Sequence, residues 1–212
     1  MYHYENVIQC SGKILYKRYN EAEKRLFLLV GVFVPKVMGG KTEENFNHDF
    51  PGFTLTGDAA AEAAKKYEKE MYVSILAHAN TEMTLTPIGG RNYRKDWLPV
   101  LIIDEIQETT DHNGFSNVIF AGEIIRIYRN AEPGRRYYMI TVRMSEAPDD
   151  GNEDAERITF VYFDPQMKLE PQVGDHIYMD GIIQTKRVED QETSRQRTLL
   201  SFVSRFVMLY RK

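Results

Sequence analysis

The chain has 212 residues, a net charge of -4 and 42% hydrophobic residues, a length that allows one large domain or two of about 100 residues each. No apolar run reaches the roughly 18–20 residues of a membrane span, and Met1-Tyr2-His3-Tyr4-Glu5 has neither a basic region nor an apolar signal core, so a cytoplasmic site is expected. A single cysteine, Cys10, excludes an internal disulfide and a cysteine-based zinc cage; it reads as a reduced, buried small apolar residue. In chain order, residues 6–18 read as a strand, 20–23 as a polar turn and 26–34 as a second strand. Residues 37–56 contain Gly, Pro and aromatic residues and read as a loop. Gly57-Asp58 gives an N-cap and residues 59–64 are strong helix formers, which predicts a helix over 58–70. Residues 71–77 and 100–107 supply later strands around a second irregular stretch, 84–98. Asp111-His112-Asn113-Gly114 is a turn or short linker. Strands are then expected at 117–129, 137–144, 157–163, 177–184 and 199–209.

Two segments look alike. Asn6-Val7-Ile8 leads to Gly12, Ile14-Leu15 and Tyr16-Lys17-Arg18; Asn117-Val118-Ile119 leads to Gly122, Ile124-Ile125 and Arg126-Ile127-Tyr128-Arg129. An offset of about 110 residues is too long for a solenoid repeat and fits tandem domains. We therefore expect a mostly β chain of two five-stranded Greek-key (OB-fold) barrels, with one helix between the third and fourth strands of the first. The expected domains are 1–110, with long loop insertions, and 115–212.

Net charge hides an uneven distribution. Arg126, Arg129, Arg135, Arg136 and Arg143 face only Glu123 and Glu132 in their stretch, whereas residues 146–156 carry six carboxylates and no cation. The segment from Val173 to Arg187 has a Gly-Asp turn at Gly174-Asp175, an apolar strand interrupted by Gly181, and a Lys186-Arg187 exit. A glycine inside a strand permits a bulge, a sharp bend or the close approach of another backbone.

These motifs resemble those of the bacterial and phage single-stranded DNA-binding protein family. That family opens a domain with Asn, a β-branched residue and then glycine, as in Asn117-Val118-Ile119 to Gly122, and later shows a Gly-Asp turn, a strand and a glycine, as in Gly174-Asp175 to Gly181. The first half matches only the opening; Lys69-Glu70 falls where Gly174-Asp175 would, with Ser74 near the place of Gly181. The resemblance implies an OB-fold, sequence-tolerant binding of single strands, and protection or organisation of strands in replication or recombination. It also implies four OB-folds per assembly, which a homodimer would provide. Cellular members usually end in a disordered acidic tail, whereas this sequence ends Phe206-Val207-Met208-Leu209-Tyr210-Arg211-Lys212, which would fit a phage or mobile-element version.

Binding single strands needs cations for phosphates and flat aromatic faces for bases. The best interleaved set is Arg126, Tyr128, Arg129, Arg135, Arg136, Tyr137 and Tyr138, on the first two strands of the second half and the hairpin tip between them. Strand period two puts Arg126 and Tyr128 on one face and Ile125 and Ile127 towards the core. Lys186 and Arg187 end the fourth strand. The first half offers Tyr16, Arg18 and Arg25, with Tyr19, Lys24 and Phe27 nearby, and a loop cluster of Arg91, Tyr93, Arg94, Lys95 and Trp97. The partner expected is single-stranded DNA; these residues do not separate DNA from RNA. The bland alternative for the same residues is a solvated sheet face on an OB-fold scaffold that binds protein.

Enzyme signals are weak. Gly39-Gly40-Lys41-Thr42 and the acidic strand 100–105 are a minor P-loop-like NTPase signal, but the place of the first P-loop glycine holds Pro35, which lacks an N–H. His3, His48, His78, His112 and His176 show no metal-ligand spacing, and no serine sits in a nucleophile elbow. No catalytic residue, metal or cofactor is expected, and the chain reads as a non-enzyme.

Overall fold

The computed structural model describes residues 4–35, 46–89, 92–134, 136–145, 157–189 and 196–211. Eleven strands and one helix follow in the order β1 (Glu5–Asn20), β2 (Arg25–Pro35), β3 (Phe46–Asp49), β4 (Gly52–Thr56), α1 (Asp58–Lys66), β5 (Tyr72–Gly89), β6 (Asn92–Glu108), β7 (Phe115–Asn130), β8 (Tyr137–Arg143), β9 (Arg157–Phe163), β10 (His176–Glu189) and β11 (Gln196–Tyr210). They form two compact units. One contains Ile8–His78 and Val100–Asn117; the other contains Met1–Val7, Ala79–Pro99 and Val118–Lys212. Strands β5 and β6 therefore run from the first unit into the second.

Each unit closes a five-stranded barrel, because its first strand pairs with both its second and its fourth. In the first unit β1 pairs with β2, β2 with β4, β4 with β6 in parallel, β6 with β5, and β5 with β1. In the second, β7 pairs with β8, β8 with β9, β9 with β11 in parallel, β11 with β10, and β10 with β7. This is the OB-fold connection, in which the five strands of each barrel close on themselves. The first barrel buries Ile8, Ile14, Leu26, Leu28, Phe53 and Ile75; the second buries Phe120, Ile124, Ile140, Phe160, Met179 and Phe202. Burial of such a side chain is worth about 1.5–3 kcal/mol. Phe120 and Phe202 meet edge to face at 4.9 Å, across the second barrel.

Helix α1 sits between the third and fourth strands of the first barrel and turns Ala60 and Ala63 inward. Lys17 Nζ donates to the carbonyls of Ala64 and Tyr67 at 2.9 and 2.8 Å, so an ammonium meets the negative end of the helix dipole.

The glycines explain the curvature. A Cβ on Gly12 would lie 2.4 Å from the Gly31 carbonyl oxygen, and one on Gly122 would lie 2.1 Å from that of Arg143. Both first strands also bulge three residues later, skipping Leu15 and Ile125. Gly181 lies at a further bulge, where β11 inserts Arg205 between the partners of Asp180 and Gly181.

Several expectations change. The stretch 37–56, expected as a loop, contains β3 and β4; β4 is the third barrel strand. The stretch 84–98, also expected as a loop, is strand where it is described, forming the far arm of β5 up to Gly89 and of β6 from Asn92. The helix ends at Lys66, short of residue 70. Strand β10 continues past Lys186-Arg187 to Glu189. Ile125 and Ile127 are half-buried; the bulge at Ile125 shifts the strand's parity, so that Ile127 lies opposite the buried Ile140 and Arg126 and Tyr128 face outward. The Gly39-Gly40-Lys41-Thr42 motif and the acidic run 146–156 lie outside the described residues.

Candidate nucleic-acid interface

On the second barrel the outward residues of β7, β8 and β9 align in rows. Arg126 lies opposite Thr141, and Thr141 opposite Thr159; Tyr128, Met139 and Val161 form the next row; Asn130, Tyr137 and Phe163 form the third. Directly opposite residues on neighbouring strands stand about 4.5–5.5 Å apart, which places these side chains in contact range. Tyr137 is 6.4 Å from Tyr128 and 5.9 Å from Phe163, centroid to centroid, so aromatic rings cross three strands. Tyr128 and Phe163 remain 54% and 55% exposed. The hydroxyls of Thr141 and Thr159 share a hydrogen bond of 2.9 Å.

A trough of about 570 Å³ follows the Arg126 row, lined by Thr81, Trp97, Ile125, Arg126, Thr141, Arg143, Arg157 and Thr159. A neighbouring hollow of about 310 Å³ is bounded by Arg126, Tyr128, Met139, Thr141 and Thr159. Arg126 makes no ion pair among the described residues. Arg143 is different: its Nη2 donates to Glu123 at 2.8 Å, and its Nε is buried with no partner among the described residues.

The first barrel presents a smaller counterpart of about 420 Å³, lined by Tyr16, Arg18, Asn20, Glu23, Arg25 and Phe27. Tyr16 and Phe27 approach at 6.4 Å. The bulges make Tyr16 and Arg18 the positional equivalents of Arg126 and Tyr128, so the cation and the aromatic exchange places. Another trough in this unit, about 610 Å³, is lined by Glu105 and uncharged residues and has no cation for phosphate.

The remaining sequence candidates scatter. Tyr93, Arg94 and Trp97 lie on the arm of β6, with Tyr93 61% and Trp97 49% exposed. Arg91 and Arg135 lie outside the described residues. Arg129 and Arg136 are exposed, and Arg136 Nη1 donates to the Pro165 carbonyl at 3.3 Å. Lys186 and Arg187 project from the β10 arm, paired in register with Leu199 and Thr198. Tyr138 is a correction: it is buried, and its hydroxyl donates to the Leu169 carbonyl at 2.6 Å, so its ring cannot stack on a base. Burial also raises the Tyr138 phenol above its ordinary pKa.

Met139, Thr141, Thr159, Phe163 and the arm residue Thr81 were missed. The alternation of Arg157, Thr159, Val161 and Phe163 could have signalled an outward face on β9. Among the described residues, no group of three or more His, Cys, Asp and Glu is placed to hold a metal ion. No described helix is long and apolar enough to cross a membrane.

No protein-family model matches the chain, and no curated protein matches it. Solved structures do. The chain is similar to the single-stranded DNA binding protein of Thermus aquaticus, with a TM-score of 0.72 and 12% identity, over 99% of this chain and 95% of that one. A variant of the same Thermus aquaticus protein gives a TM-score of 0.71 at 12% identity, over 99% and 96% of the two chains. At this identity the likeness is one of fold, and it extends over both barrels.

Proposed function

We propose that the chain binds single-stranded DNA without strong sequence preference, through the outer face of β7, β8 and β9 and a smaller equivalent face on β1 and β2. The observation that carries this reading is the juxtaposition of a guanidinium with no ion pair among the described residues, Arg126, with an aromatic row of Tyr128, Tyr137 and Phe163 on one exposed barrel face. Aromatic faces stack on any base, and cations follow any backbone, so the combination is sequence-tolerant. The similar structures are of a single-stranded DNA binding protein, which supports the same ligand.

In this reading 1–110 and 115–212 act as tandem OB-fold domains, two chains assemble into a homodimer with four such folds, and the protein covers strands in replication or recombination without performing chemistry. A fluorescence titration with oligothymidine at low salt tests it. Saturable binding that weakens with salt is expected, and a folded protein that fails to bind at low salt would sink the reading. Arg126→Ala should reduce the magnitude of the logarithmic salt slope by about 0.7, the contribution of one single-strand phosphate contact. An oligouridine of equal length compares RNA with DNA.

A further inference from the structure

We propose that Met139 is an oxidation site on the face of β7, β8 and β9, where a hydroperoxide converts its thioether to a sulfoxide and thereby weakens the binding of single-stranded nucleic acid. This rests on the binding reading above and adds to it a redox regulation of the same face.

Met139 is the middle residue of that face. Strand β8 alternates, with Tyr138 and Ile140 buried and Met139 38% exposed between them. In register it stands between Tyr128 on β7 and Val161 on β9, in the second of the three rows. On the same side of β8 its neighbours are Tyr137 and Thr141. It lines the 310 Å³ hollow that it shares with Arg126 and Tyr128, and a second hollow of about 230 Å³ towards Ile158, Val161 and Phe202. Nucleic acid laid from the Arg126 row to the Phe163 row therefore passes over this thioether.

Reduced methionine gives such a face a soft, polarisable apolar surface on which a base can lie. Its oxidation follows exposure. The sulfur lone pair attacks one oxygen of hydrogen peroxide, and the O–O bond breaks as the S–O bond forms. The displaced hydroxide takes the proton of the transferred oxygen and leaves as water, so sulfur is oxidised and the peroxide reduced. The product carries a strong acceptor oxygen. A base covering it strips water from that oxygen, and the next hydroxyl on this side of β8, that of Thr141, is already bonded to Thr159 at 2.9 Å.

Other oxidisable sulfurs do not share this position. Cys10 is buried, and burial pushes its thiol far above the ordinary range, so it stays protonated and inert. Met144 and Met179 are buried. Met83 and Met208 are exposed, but Met83 lies on the far arm of β5 and Met208 on β11 opposite Tyr178, outside the three rows. Met208 is therefore an internal control.

The test treats the full chain with hydrogen peroxide, alone and saturated with an oligothymidine of about ten nucleotides, within the site size of one OB-fold. Peptide mass spectrometry locates the added oxygen, the anisotropy of labelled oligonucleotide gives Kd, and circular dichroism follows folding. Met139 should take the oxygen in the free protein and be protected by oligonucleotide, while Met208 oxidises equally in both. Peroxide should raise Kd about 5- to 150-fold, and methionine sulfoxide reductases should restore it. Met208→Leu should lose affinity on treatment by the same factor as the unsubstituted protein. Met139→Leu should show one Kd before and after treatment, and Met139→Gln, polar without any oxidant, should bind weakly from the start. Met139 left unoxidised, Met139 oxidised equally with and without oligonucleotide, or a Met139→Leu protein that loses affinity on treatment overturns the proposal while leaving the binding reading intact. A folded, untreated protein that does not bind overturns both.

Discussion

Glu70 and Gly174 occupy the same backbone position in the two barrels. Both have positive φ, 74° and 92°. The Glu70 N–H donates to the Ile14 carbonyl at 2.8 Å, and the Gly174 N–H donates to the Ile124 carbonyl at 2.9 Å. The next residue returns the bond: Ile14 N–H to Met71 at 2.9 Å, Ile124 N–H to Asp175 at 2.8 Å. The turn into the fourth strand is therefore conserved in geometry between the halves while its residues differ. The Gly-Asp motif aligns with Glu70-Met71, one residue later than the sequence suggested. Register with Val118 and Ile8 likewise puts Ala77, not Ser74, in the place of Gly181.

Gly174→Ala tests that turn. A Cβ there meets nothing within 4 Å, so the cost is confined to the left-handed backbone. It should destabilise by about 1–2 kcal/mol in urea unfolding.

Gly122→Ala should cost more. Its Cβ would fall 2.1 Å from the Arg143 carbonyl oxygen, so strands β7 and β8 must separate locally. A loss of about 2–3 kcal/mol is expected, read from the same urea midpoint with an unchanged slope.

Lys17→Met removes a cation from the end of α1. The ammonium is largely covered, with side-chain exposure of 19%, and holds two carbonyls together with Glu68 at 2.7 Å. Its loss should destabilise the first barrel by about 2 kcal/mol, observed by denaturant unfolding.

Phe163→Ala separates binding from stability. Phe163 is 55% exposed, so its truncation should change unfolding free energy by no more than about 0.5 kcal/mol. If its ring takes a base, Kd rises by about 5- to 150-fold in the oligothymidine titration.

Alkaline pH should unfold the protein in a defined direction. Burial raises the phenols of Tyr138, Tyr162 and Tyr178 above the ordinary value of 10.0. The unfolded chain gives up these protons first, so the stabilisation is complete below pH 10 and is lost as pH rises through the folded values. Ultraviolet titration should show late-titrating tyrosines, and Tyr138→Phe should lessen the alkaline loss. Acid acts on another pair: Lys13 holds the Glu70 carboxyl below its usual range across 2.8 Å, a contribution present above the unfolded glutamate pKa and lost as pH falls through the folded one.

Much of the barrel was legible because its core strands alternate. Residues 157–163 matched β9 at both ends, and Gly181 marked a bulge. Strand β4 was not legible: Gly52-Phe53-Thr54-Leu55-Thr56 is short, follows Pro51 and begins with glycine, so local chemistry reads as a turn. Its pairing with β2 and β6 holds it extended. The outward positions were half legible. Arg126 and Tyr128 followed from spacing, but Tyr138 did not, because the parity of β8 is set by register with β7 and that register contains a bulge.

By itself the sequence determined a mostly β chain with a duplicated opening, its Asn-to-glycine spacing and its interleaved arginines and aromatics. Those are local properties: side-chain period, turn chemistry and glycine placement act over a few residues. Tertiary structure decided which rings face outward and that Trp97 and Arg126, about thirty residues apart in the chain, line one trough. Such contacts depend on strand register and on an arm pinned by Asn6 and Thr81, and no local pattern in the chain encodes that long-range pairing.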